Sequence, residues 1–266
     1  MHKYDVTIKA HPKDYMKLKY VIDSLKYLVP QPESIYLITP DKHIPVEYKD
    51  DPRLVVFSDE EVLPSIERKR MRYRPNWFYS MLMGLFQDIT PNEYYFDVQA
   101  DNIFTKELHL FDEAGKPIFF IAPVNKHYHP PYFLFNEKVV NIIGRPGAEM
   151  GIEKDDSFIT GFMTYKKSVS KEMLDIYGGL DGFYEKCVEV IEDNCMLGDY
   201  EIYPCWCIVH HPEMYTIQKE LPMYITGIEH PDEYDDDRIN TIFEFVKERT
   251  DIFAISAHTW YDTPPL

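Results

Sequence analysis

Apolar and polar residues alternate through Asp5–Ala10 (DVTIKA), the period of a β-strand. His11-Pro12-Lys13-Asp14 then opens a helix, with proline in the first turn, where its missing N–H leaves no bond unmade. Tyr15, Leu18, Ile22 and Leu25 recur at helical spacing and carry that helix to about Leu28, before Pro30-Gln31-Pro32 stops it. Ser34–Thr39 (SIYLIT) reads as a second strand and Leu54–Phe57 (LVVF) as a third. A strand–helix–strand opening predicts an α/β fold with a doubly wound, mostly parallel central sheet flanked by helices.

Further along, Pro75 starts a helix with Trp77, Met81 and Leu85 on one side, closed by Asp88 to Asn92. Tyr94–Val98 predicts a buried strand that runs into a polar turn, Gln99-Ala100-Asp101-Asn102. Strands are also expected at Pro117–Pro123, Ser157–Tyr165 and Phe253–Ser256, and helices at Lys171–Tyr177, Leu180–Cys195 and Arg238–Arg249. Gly198–Tyr203 opens a last helix-and-strand section, and Pro231–Asp237 is an acidic loop. No repeat, low-complexity tract or linker divides the chain, so one domain over residues 1–266 is expected.

Composition narrows the function. A hydrophobic share of 45% supplies a packed core, and a net charge of −17 repels nucleic acid and anionic lipid. No apolar run approaches the length of about 20 residues that a membrane-spanning helix needs. The first residues lack the apolar run of a secretory signal, so a cytoplasmic protein is expected. Cys205-Trp206-Cys207 precedes His210-His211, but lacks the usual spacing of a zinc knuckle. A half-buried strand carrying both thiols on one face is the expectation there.

In a doubly wound sheet, ligands gather beyond the carboxyl ends of the strands. Ala10–Asp14, Thr39–Asp41, Asp97–Asn102 and the tail around His258 would converge at that edge. A basic run nearby, which includes Arg68, Arg70, Arg72 and Arg74, is suited to neutralising phosphates, although such runs are also common as solvated helix faces. His127 and His129 sit in a Pro-rich loop, Asn125–Pro131, that suits a lid over an acceptor or simple aromatic packing.

Tyr94–Phe104 (YYFDVQADNIF) resembles the Asp-x-Asp segment of GT-A glycosyltransferases, an apolar strand followed by D-x-D-x-apolar-F. It is similar in particular to a family of bacterial and viral glycosyltransferase-like proteins. Arg74-Pro75-Asn76-Trp77, Ser157–Lys167 and Gly198-Asp199-Tyr200-Glu201-Ile202-Tyr203 resemble further stretches of that family, in the same order. The resemblance implies a GT-A-like fold and transfer of a sugar from a nucleotide-diphosphate donor to a glycan or other hydroxyl acceptor. It implies a donor site that includes Ala10, His11, Thr39, Arg68, Arg74, Asp97, Gln99 and Asp101. The sequence departs from the motif where Gln99 stands in place of the first aspartate. A divalent metal, Mn²⁺ or Mg²⁺, would then rest on Asp101 with His258, or basic side chains would serve instead.

An inverting transferase needs a carboxylate that accepts the acceptor's proton. The resemblance favours the Gly198–Tyr203 segment as an acceptor-side element, and Asp199 is the base expected from it. Glu201 is its neighbour in the same segment, and Asp155 and Asp156 are the competing pair. Two other readings stay open. One is a GT-A-like binding or scaffold protein without catalysis, consistent with Gln99. The other is a sugar nucleotidyltransferase, which the missing glycine-rich loop after the first strand disfavours.

Overall fold

The alternating first segment forms strand β1 (Tyr4–Lys9), followed by a 3-10 turn at Pro12–Asp14 and helix α1 (Tyr15–Ser24). In this computed structural model the described residues are 2–66, 70, 75–85, 88–123, 156–190, 198–219, 223–228, 236–249 and 252–259. The helical spacing expected to reach Leu28 ends at Ser24. It tightens through a 3-10 turn, Leu25–Tyr27, into strand β2 (Leu28–Val29). Strands β3 (Ile35–Ile38) and β4 (Leu54–Phe57) follow, then helix α2 (Asp59–Val62), helix α3 (Pro75–Leu85) and strand β5 (Tyr94–Gln99). After the polar turn come β6 (Asn102–Phe104), β7 (Leu108–His109), β8 (Ile118–Pro123), β9 (Asp156–Ser157) and β10 (Phe162–Lys166). Helices α4 (Lys167–Asp175), α5 (Leu180–Val190) and α6 (Asp199–His210) precede β11 (Thr216–Lys219), β12 (Met223–Ile228), α7 (Asp236–Lys247) and β13 (Ala254–Thr259).

The central sheet has the order β10-β5-β1-β3-β4. β1 pairs in parallel with both β3 and β5, β3 with β4, and β10 closes one edge antiparallel to β5. The chain is therefore α/β with a mostly parallel mixed sheet flanked by helices. It winds outward from β1 to β4, then crosses back to the far side of β1 to form β5. Open α/β sheets form their ligand crevice at such a reversal, which here falls at the carboxyl ends of β1 and β5. Smaller sheets, β12-β13-β6 and β11-β8-β9, border it.

Side-chain alternation sorts the core onto two faces. Val6, Ile8, Leu37, Phe96, Val98 and Phe162 pack with Leu18 and Val21 of α1. Tyr95, Met163 and Tyr165 point the other way, against Leu82 of α3, Met173 of α4 and Ile202 of α6. The polar positions of β1 share this second face. Asp5, Thr7 and Lys9 are buried, as is Asp97 of β5.

Three local expectations are corrected. Ser157–Tyr165 is not one strand, because Gly161, at φ +79°, turns the chain between β9 and β10 in a conformation that favours glycine. Cys205-Trp206-Cys207 is not a strand but part of α6, where a two-residue step sets the thiols roughly 200° apart around the axis. The helix expected from Lys171 begins at Lys167. Strands β11 and β12 carry no signal strong enough to be read beforehand. The loop with His127 and His129 and the end of the Leu180–Cys195 helix lie outside the described residues. Among the described residues no helix is long and apolar enough to cross a membrane.

Candidate functional site

The strand ends expected to converge do so. After β1, buried Ala10 donates its N–H to Ile38 O at 3.0 Å and hands over to exposed His11. After β3, Thr39 is buried and its carbonyl accepts from Lys42 N–H, a tight turn with Lys42 at φ +55°. Tyr15 of α1 braces this turn: its ring stacks on His43 at 3.9 Å and its hydroxyl donates to Asp41. That donation holds the Asp41 carboxyl below the usual carboxylate range. After β5, Gln99 and Asp101 are half-buried.

The Gln99–Asn102 turn is held from outside. Gly161 O accepts the Gln99 N–H at 2.9 Å and Asn102 Nδ2–H at 2.9 Å, and Asn102 Nδ2 also lies 3.3 Å from Asp101 Oδ1. A methyl group at Gly161 would fall 2.2 Å from Asn102 Nδ2, so this approach requires glycine as much as the backbone angle does. His258 lies on β13, two residues beyond Ser256, which pairs antiparallel with Asn102. The backbone ladder thus carries β13 toward the turn that holds Asp101.

Directly under the crevice is a buried ionic cluster. Asp97 Oδ1 accepts from Thr7 Oγ1 at 2.8 Å, and Oδ2 accepts from the Tyr200 hydroxyl at 2.8 Å. Lys9 Nζ lies 2.7 Å from the same Oδ2, an ion pair by distance whose angle falls outside that of a hydrogen bond. Asp199, the first residue of α6, has Oδ2 3.8 Å from Lys9 Nζ and 3.4 Å from the Tyr165 hydroxyl, while among the described residues its Oδ1 has no side-chain partner. The side chains of Asp97 and Asp199 are 0% exposed and that of Lys9 is 4% exposed. One ammonium between two such carboxylates leaves an excess charge, which a dry site resists by several kcal/mol. The less well partnered acid takes the proton. Burial above all, with the Asp97 charge adding to it and Lys9 opposing it, pushes the Asp199 carboxyl up to about 7. Burial also holds the hydroxyls of Tyr95, Tyr165 and Tyr200 well above the phenol range, so they act as donors. Gly84 of α3 makes room for this cluster, since a methyl there would sit 2.2 Å from Asp199 Oδ2 and 2.8 Å from Lys9 Nζ.

The helix separates Asp199 from Glu201. Glu201 Oε2 accepts from Phe158 N–H at 2.8 Å and lies 3.4 Å from Ser157 Oγ, so its carboxylate ties α6 to the β9–β10 connection. Asp156, at the start of β9, keeps 18% of its side chain exposed and lies 3.4 Å from Lys219 Nζ. Arg68 and Arg74 lie outside the described residues. Arg70 is described and sits over the Tyr184 ring, paired with Glu185 of α5. Cys187, Cys205 and Cys207 are buried and form no disulfide with one another. His210 stacks on Trp206 and His211 pairs with Glu172, so thiols and imidazoles do not assemble into a zinc site.

Among the described residues no group of three or more His, Cys, Asp and Glu side chains could hold a metal ion. Asp97, expected at the donor, is consumed by Thr7, Lys9 and Tyr200, which leaves Asp101 as the carboxylate of the turn. No protein-family model matches the chain, and no curated protein matches it significantly.

Lys9, Thr7 and the close-packed Gly84 fall in no motif of the sequence. A lysine at the polar phase of an apolar strand, opposite an aspartate of the next one, was the available signal for the first of these.

Proposed function

We propose that this chain is a GT-A-like glycosyltransferase, a single domain that moves a sugar from a nucleotide-diphosphate donor to a hydroxyl acceptor. The observation that carries this reading is the place of the Gln99–Asp101 turn. It stands at the carboxyl end of β5, beside β1, where the winding of the sheet reverses. Ligands of open α/β sheets bind at such points, and the motif-like segment falls on this one.

In this reading Ala10, His11 and Thr39 border the nucleotide, Gln99 reaches its ribose and Asp101 faces the donor. Where a divalent cation serves, Asp101 with His258 would hold it, and its charge would stabilise the departing diphosphate. Arg68 and Arg74 are the alternative source of positive charge. Asp156 is the acceptor-side base that its exposure favours among the four acids expected there, because Asp199 and Glu201 are buried and engaged and Asp155 lies outside the described residues. Those engagements, together with Gln99, favour a second reading: a donor-binding protein without transfer.

The test is a thermal-shift screen of nucleoside diphosphates and nucleotide sugars, each with Mn²⁺, Mg²⁺ or chelator, since a ligand of the native state raises the melting temperature by mass action. A shift with one nucleotide class, abolished by Asp101→Ala without loss of the unliganded melting temperature, supports the donor site. Release of nucleoside diphosphate then separates transfer or hydrolysis from binding alone. No shift with any donor would count against both readings.

A further inference from the structure

The turn between β5 and β6 is anchored at both ends on one atom. Gly161 O takes the Gln99 N–H and the Asn102 side-chain amide, each at 2.9 Å, which leaves Ala100 and Asp101 between the anchors. Asn102 is fully buried, so this bond does not compete with water. Behind the same carbonyl stands the Tyr200 hydroxyl, 3.3 Å from Gly161 O and 2.8 Å from Asp97 Oδ2. Both oxygens are acceptors, and the single hydroxyl proton is shared between them, mainly with the carboxylate at the shorter distance and secondarily with the carbonyl. Tyr200 is wholly buried and supplies that donor from the first turn of α6.

We infer that Asn102, from within the turn, and Tyr200, from α6, are positioning residues that hold the Gln99–Asn102 turn on the Gly161 carbonyl and so set the place of Asp101. The functional importance of that place rests on the donor-site reading above; the clamp itself does not. This gives the Asp199–Tyr203 segment a task that is distinct from proton transfer. Its tyrosine reaches across the buried cluster to the back of the proposed donor turn. It also explains why Gly161, at φ +79° and 2.2 Å from Asn102 Nδ2 for any added methyl, has no room for a side chain.

Amide hydrogen exchange followed residue by residue by NMR tests the clamp in the full chain without any ligand. Tyr200→Phe keeps the ring and removes the donor, and Asn102→Ala removes the side-chain amide. In both, exchange at Gln99 is expected to rise about tenfold, the factor set by the loss of one hydrogen bond. Tyr203→Phe, on the same helix as Tyr200, is the control, because the Tyr203 hydroxyl accepts from the N–H of Lys166 in β10 at 2.8 Å. It should speed exchange at Lys166 and leave Gln99 unchanged. Should Tyr200→Phe fail to fold, Asn102→Ala carries the test alone. Exchange at Gln99 that rises no more in the folded variants than in Tyr203→Phe overturns the inference. That result would leave the donor reading intact, and a donor screen without a hit would leave the clamp intact.

Discussion

Asp199 shows how one buried acid sets a dependence on pH. Its carboxyl is raised from 3.8 to about 7, so between those values the folded state holds a proton that the unfolded chain has released. Its contribution to stability is therefore complete below about pH 4, falls as pH rises through the folded value, and is flat above it. Asp199→Asn is neutral throughout and removes this decline, which one proton limits to about 1.4 kcal/mol per pH unit. Melting temperatures of the two proteins between pH 4 and 8 should lie together near pH 4 and separate up to about pH 7, with the variant higher. A constant offset would place the proton elsewhere. Gly84→Ala probes the same cluster by volume. In an open helix this change would stabilise by about 1 kcal/mol. Here the new methyl meets Asp199 and Lys9, so a net loss of about 1–3 kcal/mol in denaturant unfolding is expected.

At the scale of elements, α6 joins the two halves of the site. Its first turn carries Asp199 and Glu201, which suit the positive end of the helix dipole. Pro204 removes an interior N–H, and the helix persists because Asp199 through Ile208 are buried on all sides. Glu201→Ala strands the buried Phe158 N–H and should cost about 1–3 kcal/mol, whereas Glu201→Gln keeps an acceptor and costs less. Chemical denaturation orders the two. A transferase rate lost equally in both folded variants would instead assign Glu201 to the chemistry. The segment Gly198–Tyr203 was legible as the opening of a helical section, but not the duties of its residues. Spacing shows that Asp199 and Glu201 diverge; it does not show that one meets Lys9 and the other a backbone amide some forty positions away in the chain.

For the whole molecule, a net charge of −17 on 266 residues opposes compaction. Added sodium chloride should raise the melting temperature over the range where the screening length shortens from about 30 to 10 Å. A melting temperature that ignores salt would show that local pairs already cancel the repulsion. Local periodicity alone marks β1, β3, β4 and β5 and the helices between most of them, hence a mostly parallel α/β sheet with Gln99–Asp101 at a strand end. These follow from alternation, helical spacing and proline punctuation, which are properties of neighbours along the chain. Tertiary structure alone decided that Asp5, Thr7, Lys9 and Asp97 are buried, that Gly161 is the anchor of the turn, and that Asp199 keeps a proton near neutrality. Each depends on which face of β1 and β5 helices α3 and α6 cover, and on desolvation by groups far apart in sequence, where the same Lys–Asp alternation would otherwise read as a strand open to water.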